Sequence, residues 1–345
     1  TVANFSAGYD GGTAGNLAMQ TIDIVDSTFT NNGDTNIGES AGSTTTMTVS
    51  GSSVVTSGNR TMLGMAAGAT GNLILEGDAR YSSGGWFSIG VTGVGTFTAR
   101  DNSQFTIGGD FNVSDLAGSD GTMEIGGTAV VNGGAAYVGK AAASVGRVTM
   151  TGGTFNGGNN NVVQIGQNGD GIWTQSGGTA NLSGWLAIGR YAGSTGDVTV
   201  SGGTLNQVGA GQALFVSEEG TGVLTVSGTG VVNVAATGNG LTLTNSGTGT
   251  GTVNLDGGRI TTSIVRDNGG LSTFNFNGGT LQAAATSQTN FMTGLDTTNV
   301  LAGGAVIDSN SRDITIDQVL LDGGTGGGLS KIGAGTLTLS AASTY

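Results

Sequence analysis

The sequence of 345 residues contains no cysteine, no proline and no histidine. Ordinary usage of ~5% would supply roughly 17 prolines, so their absence points to a backbone that needs its N–H groups. Without Cys and His there is no disulfide framework, Cys/His zinc site, haem ligand, thiol nucleophile or histidine-based triad. Basic residues are scarce: ten Lys and Arg stand against 23 Asp and Glu, for a formal net charge of −13. That field opposes DNA, RNA and anionic headgroups, so nucleic acid is not an expected partner. No apolar run approaches the ~18 residues of a spanning helix, and no membrane insertion of this segment is expected.

What the chain has in excess is glycine, 70 residues against a usual share of ~7%. Disordered chains are rich in charge and poor in β-branched residues. Here only 10% of residues are charged, and Val, Ile and Thr are plentiful. The composition therefore reads as ordered, β-rich and extracellular, with catalysis disfavoured and no cofactor implied. The chain opens at Thr1 without a basic-plus-apolar leader, as a processed or excised chain would.

A glycine opens an apolar-alternating segment at Gly71, Gly95, Gly121, Gly146, Gly171, Gly196, Gly222 and Gly251. A glycine pair follows at Gly126-Gly127, Gly152-Gly153, Gly177-Gly178, Gly202-Gly203 and Gly257-Gly258. A third marker is an aliphatic residue followed by a small one, as in Ile37-Gly38, Leu63-Gly64, Ile89-Gly90, Val113-Ser114, Val138-Gly139 and Ile188-Gly189. All three keep step at roughly 25 residues, a spacing that marks a repeat architecture.

Each unit reads as three short strands. In the first, Leu73, Phe97, Met123, Val148, Trp173, Val198, Leu224 and Val253 form one column. Leu75, Ala99, Ile125, Met150, Gln175, Val200, Val226 and Leu255 form another two residues on, with mostly polar residues between. Period two of this kind puts the columns inward and the residue between them outward. The second strand follows the glycine pair, as in Thr204-Leu205-Asn206; the third precedes the Ile-Gly marker, as in Trp185 to Ile188. No window carries a helical period with capping signals. The expected fold is all-β: a single-domain parallel β-helix (β-solenoid), right-handed by the usual rule for parallel crossovers. Roughly 13 coils at ~4.8 Å give a rod on the order of 60 Å. The regular part spans 19–255, a looser part 256–345 with its last coil at 321–345, and 1–18 stand apart as a segment able to pair between subunits. Glycine supplies the corners, where φ > 0 is needed.

Five asparagines recur after the second turn: Asn132, Asn156, Asn181, Asn206 and Asn233. Stacked amides can hydrogen-bond from coil to coil, so they read as a structural ladder. A charged column follows the Ile-Gly marker at Glu39, Asp115, Lys140, Gln167, Arg190 and Glu218. Its alternating signs read as surface pairing, although a polysaccharide-acting β-helix enzyme would also place such groups on one face. The outward row Thr149, Thr174, Thr199 and Thr225 is ordinary strand threonine. Trp86 and Trp185 share a register and read as wall; Trp173 beside inward Gln175 marks a local irregularity in the core. Asp10, Asp34, Asp110, Asp120 and Asp170 lie near turns without a calcium-binding period.

The stretch Gly327-Gly328-Leu329-Ser330-Lys331-Ile332-Gly333-Ala334-Gly335-Thr336-Leu337-Thr338-Leu339-Ser340, running on to Thr344-Tyr345, resembles the autotransporter-associated β-strand repeat of secreted bacterial passenger proteins. Upstream units such as Val198-Thr199-Val200-Ser201-Gly202-Gly203-Thr204 resemble the looser arrays that accompany it. The resemblance implies an exported bacterial protein, a right-handed β-helix and a role at the cell surface, and it brings no catalytic residues.

A solenoid exposes unpaired backbone at its terminal coils. Residues 1–18 form no amphipathic helix to cover one end. The expected function is thus a non-enzymatic extracellular structural subunit whose partner is itself, stacking head-to-tail into a surface or matrix filament. Val2, Phe5, Tyr9, Leu329, Ile332, Leu337, Leu339 and Tyr345 are the candidate assembly residues. The alternative is a monomeric adhesin or autotransporter passenger fragment binding glycans or host surfaces, distinguished by a concave aromatic or charged patch on one face. A polysaccharide-acting enzyme comes third.

Overall fold

Short apolar-alternating segments separated by glycine turns have one way to bury both inward residues: each strand pairs with its copy one repeat away. The computed structural model, which describes residues 2–9, 19–159, 162–209, 211, 213–287, 289–324 and 326–345, shows that arrangement. The chain is a parallel β-solenoid of about 13 turns at roughly 25 residues per turn, with no helix among the described residues. It divides into two compact units, Thr1–Trp173 and Thr174–Tyr345.

In the first unit a typical turn runs through Val94–Ala99, Gln104–Ile107 and Phe111–Val113. Val94–Ala99 pairs in parallel with Thr70–Leu75 on one side and Asp120–Ile125 on the other, in unbroken register. The inward columns are fully covered: Leu73, Phe97 and Met123 are at 0% exposure and Leu75, Ala99 and Ile125 at no more than 1%. Burying side chains of this size contributes ~1.5–3 kcal/mol each, and the sum over turns is what holds the stack. An aromatic cluster fills this part of the core, where Phe87 meets Phe97, Phe105 and Phe111 with centroids 4.7–5.5 Å apart.

The second unit repeats the plan with one variation. Thr221–Val234 and Thr250–Thr262 are continuous strands that carry the first and second positions of a turn through the bend between them. The part expected to be looser keeps its pairing: Leu271–Phe276, Thr297–Val300 and Leu321–Asp322 follow each other in parallel. Gln175, the polar residue of the inward column, is fully buried and donates from Nε2 to the carbonyls of Gly178 and Thr204, at 3.2 and 3.0 Å. Those two bonds satisfy its donors where an apolar side chain would need none.

The glycines divide into two kinds. The Ile-Gly marker adopts positive φ, as at Gly64 (62°), and Ser114 takes the same conformation (72°) where glycine is replaced. The strand-opening glycines, such as Gly95, Gly121 and Gly222, do not belong to this kind. A Cβ on Gly222 would lie 1.5 Å from the Val216 carbonyl oxygen. Close backbone approach, rather than φ, excludes other residues there.

The N-terminal segment expected to be able to pair between subunits is paired on one edge within the chain. Phe5–Ala7 pairs in parallel with Thr35–Ile37, and Val2 bridges Asn31. Thr1 and residues 10–18 lie outside the described residues.

Candidate functional site

The third strand of each turn is three or four residues long, and its middle residue points away from the core because its neighbours point in. In the first unit this outward row is Asn36, Met62, Ser88, Asn112 and Tyr137, in register from turn to turn. Outward residues on the first strands, such as Thr46, Asn72 and Thr96, are half-buried. On the third strands Asn36, Met62, Ser88 and Asn112 are between 0% and 8% exposed. They form the floor of a trough.

Two walls rise beside that floor. Residues preceding the third strands stack as Asp34, Arg60, Trp86 and Asp110. Arg60 pairs with the Asp34 carboxylate one turn back and lays its guanidinium 5.2 Å from the Trp86 ring centroid one turn on. Residues following the third strands stack as Glu39, Met65, Val91, Asp115 and Lys140. Lys140 Nζ lies 2.6 Å from Asp115 Oδ1 and 5.5 Å from the Tyr137 ring centroid. The other Asp115 oxygen accepts from Ser88 Oγ at 2.7 Å, and Ser88 Oγ accepts from Asn112 Nδ2 at 3.2 Å.

Between the walls lies a cavity of about 320 Å³ lined by Trp86, Asp110, Asn112, Asp115, Leu116 and Lys140, within the usual size of a small-ligand site. Asn112 is 1% exposed, and its Oδ1 has no hydrogen-bond partner among the described residues. A buried acceptor left without a donor costs ~1–3 kcal/mol. Asn36 Oδ1 and Glu39 Oε2, three turns earlier, are in the same condition. There a second hollow of about 460 Å³, shallow and widely open, is lined by Tyr9, Glu39, Ser40, Ala41, Met65 and Ala66. The trough thus offers an aromatic face, fixed carboxylates and acceptors without donors.

The second unit carries a related cluster. The Arg190 guanidinium lies 4.8 Å from the Trp185 ring centroid and 4.7 Å from that of Tyr191, and its Nε is 3.1 Å from Glu218 Oε2. Phe215 meets Trp185 edge-on at 5.9 Å. Burial pushes the Glu218 carboxyl above the ordinary glutamate range, against the pull of Arg190.

The charged column read from the sequence pairs as expected, but not at the surface. The carboxylate side chains of Asp115 and Glu218 are only 4% and 10% exposed. Trp86 is half-buried at the rim of the first unit's trough and Trp185 is half-buried in the second unit, whereas Trp173 is core. Asn156 Nδ2 donates to Asn132 Oδ1 at 2.8 Å; in the second unit Asn206 donates to Asn181 at 2.9 Å and Asn233 to Asn206 at 2.8 Å. Sequence reading missed a further ladder, Asn299 to Asn275 to Asn254, at 2.9 and 2.8 Å. Its signal was Asn254 in the outward column of the first strands. Thr149, Thr199 and Thr225 are half-buried outward residues and Thr174 is exposed.

Of the aspartates near turns, Asp34 and Asp120 hold Arg60 and Arg147, and Asp10 lies outside the described residues. No group of three metal-ligating side chains occurs among the described residues. The candidate assembly residues lie in the first and last turns. Val2 and Tyr9 are 43% and 60% exposed, Phe5 packs on Phe29 at 5.2 Å, and Ile332 and Tyr345 are 45% and 37% exposed. Leu329, Leu337 and Leu339 are half-buried.

No known family model matches the chain, and no curated protein or solved structure matches it. Fold and trough geometry therefore carry the functional argument.

Proposed function

We propose that this chain is a non-enzymatic β-solenoid of the bacterial cell exterior that binds neutral glycans, with the Trp86 cavity as its primary site. The observation that carries this reading is the concave row in which Trp86, Asp110 and Asn112 face one space. A sugar ring presents an apolar C–H face to an indole and hydroxyl donors to amide and carboxylate oxygens. Both Asp115 oxygens are engaged, by Lys140 and Ser88, which suits a fixed acceptor rather than a proton-transfer group. A formal charge of −13 disfavours uronate-rich polymers. Native electrophoresis of the full chain in gels containing xyloglucan, galactomannan, mixed-linkage β-glucan or laminarin tests this, with alginate as the anionic control. Retardation in at least one neutral gel and none in alginate is the expected result; unchanged mobility throughout overturns it.

A second reading is head-to-tail assembly. It draws support from Phe5–Ala7 and Leu337–Leu339, each of which has a strand on one edge and none on the other among the described residues. The last turn argues for placing it second. Asp322 pairs with Val300 and Lys331 with Ile307, so two charges occupy register positions that are apolar one turn earlier. An added copy would meet them instead of an apolar seam. Electron microscopy of the chain at rising concentration separates the readings: filaments support assembly, and isolated particles throughout count against it.

A further inference from the structure

We infer that the trough of the Thr1–Trp173 unit holds one linear glycan along the stacking direction, with a distal subsite at Tyr9 and Glu39; this rests on the glycan reading above.

The floor is continuous. Asn36, Met62, Ser88 and Asn112 are covered in four successive turns, with one hollow toward each end of the row. The two cavities sit along the same wall, with Glu39 and Asp115 three turns apart, about 14 Å at ~4.8 Å per rung. That separation exceeds one sugar ring and suits an oligosaccharide that reaches both. The wall between them is apolar, Met65 and then Val91, which matches the C–H faces of intervening rings rather than their hydroxyls.

Chemistry at the two ends is the same. Asn112 Oδ1 at one, and Asn36 Oδ1 with Glu39 Oε2 at the other, are acceptors without donors. A ligand completing both must supply O–H or N–H groups at intervals. Charge selects further. Asp34 and Asp115 are neutralised by Arg60 and Lys140, while Glu39 and Asp110 have no ion-pair partner among the described residues. The trough is left net negative, so a polyanion is repelled and a neutral polyhydroxylated chain is accepted. Tyr9, 60% exposed beside the 460 Å³ cavity, supplies the second aromatic platform.

The test is calorimetric titration of the full chain with cello-, manno- and xylo-oligosaccharides from disaccharide to hexasaccharide. Affinity for the recognised series rises about ten-fold or more with length, equivalent to ~1.4 kcal/mol, and then levels off. Tyr9→Ala and Glu39→Gln each reverse most of that gain without changing disaccharide binding, whereas Trp86→Ala weakens every length. Glu39→Gln keeps the shape of the side chain and guards against a folding defect in the tyrosine variant. Length-independent binding that still needs Trp86 overturns the distal subsite and leaves the primary site standing. Absence of binding at every length, or binding indifferent to Trp86, overturns both.

Discussion

Lys140 reaches back one turn to Asp115, Nζ to Oδ1 at 2.6 Å, and the carboxylate it holds is 4% exposed while the lysine itself is 34% exposed. The pair is therefore neither a surface bridge worth ~0–1 kcal/mol nor a fully buried one worth ~3–5 kcal/mol to break. Lys140→Met strands a buried carboxylate with the Ser88 hydroxyl as its remaining partner among the described residues, and should cost about 2 kcal/mol between those limits. The double variant Lys140→Met/Asp115→Asn recovers most of the loss, because the amide needs no counter-charge. Urea unfolding midpoints of the two variants check this; an unaltered single variant contradicts it.

Gly222 has no room for a side chain. A Cβ there would stand 1.5 Å from the Val216 carbonyl oxygen and 2.6 Å from that of Ile188. Gly222→Ala should destabilise by ~3 kcal/mol, the upper end of overpacking costs. Gly238, with nothing within 4 Å of a built Cβ and no positive φ, should tolerate alanine with a change under ~1 kcal/mol. Thermal melts of both variants decide the matter, and equal effects would refute the close-approach account.

Asn206 sits within an amide ladder, donating to Asn181 and accepting from Asn233. At ~1 kcal/mol per net hydrogen bond, Asn206→Ala should cost about twice as much as Asn233→Ala. Hydrogen exchange at the flanking strands gives the local readout. If both substitutions have the same effect, the amides act as turn formers and not as a ladder.

The acids respond to pH with opposite signs. Glu218 is raised by burial, so the folded state binds its proton more tightly than the unfolded chain does. Its contribution improves as pH falls from above its raised folded value to the ordinary glutamate value, and is fully gained below that. Asp34 is lowered, chiefly by its hydrogen bond with Arg60, so its stabilisation is present above the ordinary aspartate value and is lost as pH falls through the lowered one. Glu218→Gln should flatten the stability profile in the first window and Asp34→Asn in the second. Denaturation midpoints across pH 3–7 measure both; matching slopes in wild type and variants would contradict the assignment.

Much of the solenoid could be read from the sequence because the inward columns are chemically uniform. Leu73, Phe97, Met123 and Val148 recur at the repeat spacing and all proved buried. The trough was harder to see. Its floor, Asn36, Met62, Ser88 and Asn112, is chemically mixed, and its burial comes from walls that belong to other parts of the turn. One wall was visible as the charged column from Glu39 to Lys140. The facing row of Asp34, Arg60, Trp86 and Asp110 recurs at the same spacing but alternates acid, base and aromatic, which hides it. The asparagine ladder at Asn254, Asn275 and Asn299 was missed because it starts where threonine gives way to asparagine in the outward column.

The most direct test of the account is the affinity of the full chain and of Trp86→Ala for whichever neutral polysaccharide retards the wild type. Losing an aromatic platform should weaken binding by at least ten-fold, ~1.4 kcal/mol, with far-ultraviolet circular dichroism and melting temperature preserved. Undiminished binding by Trp86→Ala, or the absence of any neutral glycan that binds the wild type, would contradict the central claim.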